Sequence, residues 1–366
     1  MDVIRNWFRR YFNDPQVIIL AVLLLLGFAV ILFMGDMLAP VLASVVLAYL
    51  LEGLVVRLER WHLPRLLAVS VVVAGFLLLL VLILFGMVPA LSNQLTQLFQ
   101  QLPVMISEGQ ALLQHLPEEY PAFITEQQVD EIMAGLRREI TSLGQQVFSV
   151  SLASVFNIIA VLVYVILVPV LVFFFLKDKE RIFSWIAGYL PHERGLSTRV
   201  WRDVNAQIAN YVRGKVWEIL IVGGVSFITF SFMGLQYALL LATLVGLSVI
   251  IPYIGAAVVT IPIALVAYFQ WGWGAQFAYV MIAYGVIQAL DGNVLVPLLF
   301  SEVVDLHPIA IIVAVLVFGG IWGLWGLFFA IPLATLVQAV LKAWPRHDVV
   351  PKQPAPEMPA RDGAES

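Results

Sequence analysis

An all-α, polytopic integral membrane protein is the fold class this sequence predicts, and three observations predict it. Of the 366 residues, 61% are hydrophobic and only 12% are charged, whereas soluble chains carry about a quarter charged residues. Mean hydropathy is +0.96. Several apolar stretches also exceed the roughly 18 residues that mark a spanning helix, with residues 17–35, 66–88, 152–176 and 216–234 the clearest. There is no cysteine, which removes disulfides, thiolate metal sites and cysteine nucleophiles together. No cleavable signal peptide is expected, because the first apolar run is too long for one.

Basic residues order the spans. Arg5, Arg9 and Arg10 precede the first span, and Arg57, Arg60 and Arg65 follow a second at about 38–56. A basic group from Lys177 to Lys215 follows the fourth, and Lys342, Arg346, Lys352 and Arg361 belong to the end of the chain. With both termini cytoplasmic, only Arg137 and Arg138 of the 20 Lys and Arg fall outside, as the positive-inside rule favours. The polar insert at 89–151, after the third span, is then extracytoplasmic.

Three apolar stripes outside the spans have helical spacing. In the insert, Val129, Ile132, Met133, Leu136, Ile140, Leu143, Val147 and Val150 form one. Leu91, Leu95, Leu98 and Leu102 form another, which Pro103 is expected to stop. On the inner side, residues 177–215 carry Leu196, Val200, Val204, Ile208 and Val212, leading into the fifth span. Each face needs an apolar partner: the membrane domain, the bilayer surface or another subunit. Residues 1–344 read as one membrane domain, and 345–366, rich in Pro and Ala without periodicity, as a disordered cytoplasmic tail.

Residues 216–342 form the expected transport core. They read helix, broken apolar segment, helix, broken apolar segment. The first broken segment contains Pro252, Gly255 and Pro262, and the second contains Gly319, Gly320, Gly323, Gly326 and Pro332. "TIPIALV" in the first echoes "AIPLATLV" in the second. Re-entrant hairpins would enter from opposite sides, and full crossings would give the same even parity. Both fit an inverted repeat whose discontinuous helices meet near mid-membrane to bind solute. Glycines at this spacing also allow helices to pack closely without any solute.

The triplet Asp291-Gly292-Asn293 interrupts the apolar run. A carboxylate at membrane depth is expensive and asks for a reason. About sixteen residues separate it from Ala275, a rise of about 24 Å, so an interrupted helix is expected there, ahead of "VLVPLLF" with Pro297. Asp291 and Asn293 either cap a helix end or line a water-filled cavity, where they bind solute or exchange a cation or proton. His307 lies in a polar link at the inner surface, and Pro308 opens the last segment at a favoured helical position. No histidine pair at ligand spacing, phosphate loop, nucleophile elbow or acidic metal cluster is present. The sequence therefore predicts no enzyme, no cofactor, no metal site and no nucleic-acid partner.

"VLAYLLEG" (46–53), "VFFFLKDKE" (172–180), "NYVRGKV" (210–216), "IPYIGAAVVTIP" (251–262), "IQALDGNVLVPLLFSEVVDLHP" (287–308) and "FGGIWGLWGLFFAIPLATL" (318–336) together resemble the autoinducer-2 exporter family, and within it the permease branch. The resemblance implies a secondary transporter of the bacterial inner membrane, with about eight membrane segments, that assembles as a homo-oligomer. It implies a small polar cargo, a signalling molecule of the autoinducer-2 type or, in other members, sodium–proton antiport. Motif positions carried over are Pro252, Gly255, Asp291, Asn293, Pro297, His307, Pro308, Gly319, Gly320, Gly323, Gly326 and Pro332. A non-transporting membrane scaffold is the remaining alternative.

Overall fold

Backbone in a lipid environment must satisfy its hydrogen bonds internally, and a helix does so within one segment. Accordingly, every regular element among the described residues is helical. The structure, a computed structural model, describes residues 15–114, 127, 131, 134, 135, 138, 158–189, 195–252, 254–300 and 306–343. Five of its stretches are long and apolar enough to cross a membrane: Met37–Arg60, Arg65–Gly109, Gln207–Phe232, Ile254–Trp271 and Ala275–Phe300. Their outward side chains, Leu78, Phe85, Phe232 and Leu298 among them, are exposed aliphatics and aromatics, a surface suited to hydrocarbon.

Helix α1, Pro15–Arg60, is one helix of 46 residues, roughly 70 Å long. The two spans expected at 17–35 and 38–56 thus have no turn between them. Pro40 withholds one N–H, but every other backbone group in an apolar setting is still best satisfied by continuing the helix. Ser44 donates its hydroxyl to the Pro40 carbonyl.

Helix α2, Arg65–Leu82, passes through a π turn, Ile83–Met87, into α3, Val88–Gln114. The third span was expected to end near Val88; instead its helix runs on into the insert, and Pro103 lies inside α3 rather than at its end. Leu91, Leu95 and Leu98 pack on the core of the carboxyl-terminal half, and the Gln94 side-chain oxygen accepts a bond from the Leu240 N–H at 2.9 Å. The stripe expected at 129–150 lies outside the described residues. Helix α4, Ile158–Lys177, packs along α1 and α2. At its end Arg65 donates to the Leu176 carbonyl at 2.6 Å and pairs with Glu52 and Glu59 at 3.5 and 3.3 Å. Lys179, opening α5, Lys179–Tyr189, reaches Glu52 at 3.1 Å. One end of α1, α2 and α4 is held together by these charges.

In the carboxyl-terminal half, α6, Gly195–Phe232, carries the inner stripe without interruption into the fifth span. Helices α7, Ala238–Ser248, and α8, Ile254–Trp271, form a hairpin. Gln270 ties its base, donating to the Gly234 carbonyl and accepting from the Gln236 N–H, each at 2.8 Å. At its tip a Cβ on Gly255 would land on the Ser248 carbonyl oxygen. Helix α9, Ala275–Leu290, leads through a second π turn, Asp291–Leu295, into α10, Val296–Phe300. The last element, α11, Pro308–Ala343, is a second hairpin, reversed where Gly323 adopts φ 58°. A Cβ on Gly326 would land on the Phe318 carbonyl oxygen, and Ala314, Val315 and Ala330 meet across its arms. Both broken segments are therefore hairpins with a glycine just past the tip, where the arms touch. Pro262 and Pro332, expected among the breaks, lie within helices, and Gly319 and Gly320 lie in the first arm of α11. The reversals belong to residues 249–252 and to Gly323.

Candidate functional site

Proline sets the geometry at Asp291. Pro297 has no N–H, and its ring crowds the carbonyl four residues back. The preceding turn widens to relieve this, and the Val296 N–H bonds to the Asp291 carbonyl, five residues back. The helix is widened, not interrupted as expected, and Asp291 stays on a continuous rod.

That rod faces a cavity of about 440 Å³ between the hairpins and α6. Helix α6 contributes Tyr211, Lys215 and Glu218, and α9 with its π turn contributes Gln288 and Asp291. Ser248 and Pro252 come from the first hairpin's tip, and Ile311 and Ile331 come from the second hairpin. Ile251, also at the tip, packs on the Ala314–Val315–Ala330 cluster, so the two hairpins touch beside the cavity.

Lys215 Nζ lies 2.7 Å from Glu218 Oε2, and the two side chains are only 6% and 3% exposed. The ammonium also sits 5.4 Å from the Phe300 ring centroid, a favourable position over an aromatic face. Phe300 can approach because residue 214 is glycine; a Cβ there would come within 2.7 Å of the ring. Three buried atoms on this wall lack a hydrogen-bond partner: Asp291 Oδ1, Gln288 Nε2 and Tyr211 OH. Buried polar groups are ordinarily paired, so three converging on one cavity mark a place that receives a polar guest or water. With all groups ionised, two carboxylates face one ammonium, and the cavity carries one net negative charge.

Other predicted residues fall elsewhere. Asn293 is exposed and donates to the Ala289 carbonyl at 2.8 Å, outside the cavity lining. His307 is exposed, and its Nδ1 accepts from the Ile309 N–H at the start of α11. Pro252 lines the cavity, whereas Gly255 and Gly326 hold hairpin arms together. Sequence reasoning missed Glu218 and took Lys215 for the inner edge of a span. The signal was a Lys and a Glu three apart in "GKVWEILIVGG", a helical pair inside an apolar run.

The profile of the AI-2E family transporter family matches residues 18–346. The "Putative permease PerM" of Escherichia coli K12 is 46% identical over 345 residues, 94% of this chain and 98% of its own length. The "Putative transport protein YueF" of Bacillus subtilis is 30% identical over 315 residues, 84% of each chain. A "Putative transport protein" of Thermotoga maritima is 22% identical over 329 residues, 89% of this chain and 94% of its own.

Proposed function

This chain belongs to the AI-2E family of transporters, and from that premise we propose that it is an inner-membrane permease moving a small polar solute through the cavity beside Asp291. The carrying observation is the convergence of unpartnered Asp291 Oδ1, Gln288 Nε2 and Tyr211 OH on one cavity lined also by a buried ion pair. Hydrogen-bonding groups of this kind suit a hydroxyl-rich cargo such as a signalling molecule of the autoinducer-2 type. Two hairpins hung from neighbouring segments and touching beside the cavity support alternating access, in which one repeat rocks against the other around the fixed site. The basic ends of α1, α2 and α4 are placed at the cytoplasmic face on the positive-inside rule. The homo-oligomer that the family resemblance implies completes this reading.

Labelling of single cysteines introduced at 288–297 tests the reading. Positions facing the cavity should react from one aqueous face and be protected by solute, while Asn293→Cys should behave as a lipid-side position. Absence of labelling at every position from both faces would sink it. Sodium–proton antiport is the second reading, favoured by the net negative cavity. A pH jump in proteoliposomes should then collapse faster with sodium present, and Asp291→Asn should abolish that acceleration.

A further inference from the structure

Lys215 has two possible carboxylate partners in one cavity. Glu218 is on its own helix three residues away, and that pair can form whatever α6 packs against. Asp291 is on another rod, lines the same cavity, and its Oδ1 is buried without a partner. A lysine is a point charge on a flexible stem and can swing between partners. Removing its ammonium from Glu218 into an apolar surrounding is costly unless a second carboxylate receives it. The groups facing Asp291 are Lys215, Glu218 and Tyr211 from α6 and Gln288 from α9, while the first hairpin offers Ser248 and the second only Ile311 and Ile331.

We propose that Lys215 is a shared counter-ion: paired with Glu218 here, it passes to Asp291 when the cavity opens to the other side, leaving one carboxylate at a time free for a proton or monovalent cation. In the first pairing the bond stays within α6. In the second it ties α6 to the Asp291 rod, so occupancy of the free carboxylate biases which arrangement of the two rods is favoured. This inference rests on the reading of the cavity as a transport site, and it makes Lys215 a positioning residue.

The test uses Ala256→Cys, a cavity-lining position in a chain with no native cysteine. Its modification rates by cationic and anionic methanethiosulfonates of similar size are measured in proteoliposomes from about pH 5 to 9. Their ratio cancels the thiol's own ionisation and reads the potential in the cavity. With no other change the ratio should rise with pH as the free carboxylate ionises. In Glu218→Gln, Lys215 should settle on Asp291, and the curve should be flat. Lys215→Gln/Glu218→Gln should restore the step, and Asp291→Asn should flatten it again. A step that persists in Glu218→Gln overturns the exchange, as does failure of that variant to fold, since either means Lys215 finds no second partner. A flat curve without these changes overturns it too. Absence of labelling from both faces in every background sinks the transport cavity itself, and the exchange with it.

Discussion

The run from Arg65 to Gln114 and the run from Ala275 to Phe300 share one distortion and differ in what surrounds it. Each has a five-residue π turn, then a valine, then a proline. In both, the valine N–H reaches back five residues, because the proline supplies no N–H of its own and crowds the carbonyl behind it. Residues 83–87 are "ILFGM", none of them buried, with Phe85 79% exposed. Residues 291–295 are "DGNVL", and Asp291 looks across a cavity to a buried ion pair. A π turn is therefore a local answer to proline, and it becomes part of a site only through the residue it turns and the neighbour it meets. π turns are frequent at functional sites, and here one of two lies at the candidate site.

Four perturbations break or sharpen that contrast. Lys215→Met leaves Glu218 buried and unpaired opposite the second turn, and should cost about 3–5 kcal/mol in thermal unfolding. Lys215→Met/Glu218→Leu should recover most of it, since apolar replacement of a whole buried pair is tolerated. Gly214→Val drives a side chain into the Phe300 ring and should cost about 1–3 kcal/mol, with α10 displaced from α6 and cavity positions labelling faster. At the first rod, Gln94→Ala removes the acceptor of the Leu240 N–H and should cost about 1 kcal/mol, leaving transport unchanged. Smallest in stability is the exchange of the two prolines. Pro89→Ala and Pro297→Ala each restore an N–H, and neither should move the unfolding temperature by much. Pro297→Ala should nevertheless close its turn and rotate Asp291, so that a cysteine at 291 loses aqueous labelling. Pro89→Ala should leave that labelling untouched. Equal effects of the two prolines would erase the distinction drawn between the turns.

Much of this was legible in the residues. The paired breaks were visible as glycine and proline clusters, and hairpins stand at both. Asp291 stood out because a carboxylate in an apolar run is costly wherever it points. Asn293 and Asp291 were indistinguishable by position, since a widened turn, not an ideal helix, decides their directions; one lines the cavity and the other bonds back to Ala289. Proline was the least legible signal. Pro40, Pro262 and Pro332 sit inside helices, because in lipid the loss of one bond is cheaper than exposing several, and Pro103 lies inside one where it runs on into the insert.

The sequence by itself determined a helical membrane chain of the transporter family, its lipid-facing surface and the places where its last segments turn back. Those features rest on local rules: apolar length, backbone self-satisfaction and the left-handed or close-packed positions that admit glycine. Only the tertiary structure decided that α1 is one rod, that α3 docks on the hairpin through Gln94, and that Lys215, Glu218 and Asp291 share a cavity. Charges far apart in the chain carry no mark of their mutual distance, and a buried ion pair reads like a span's polar edge until packing closes around it.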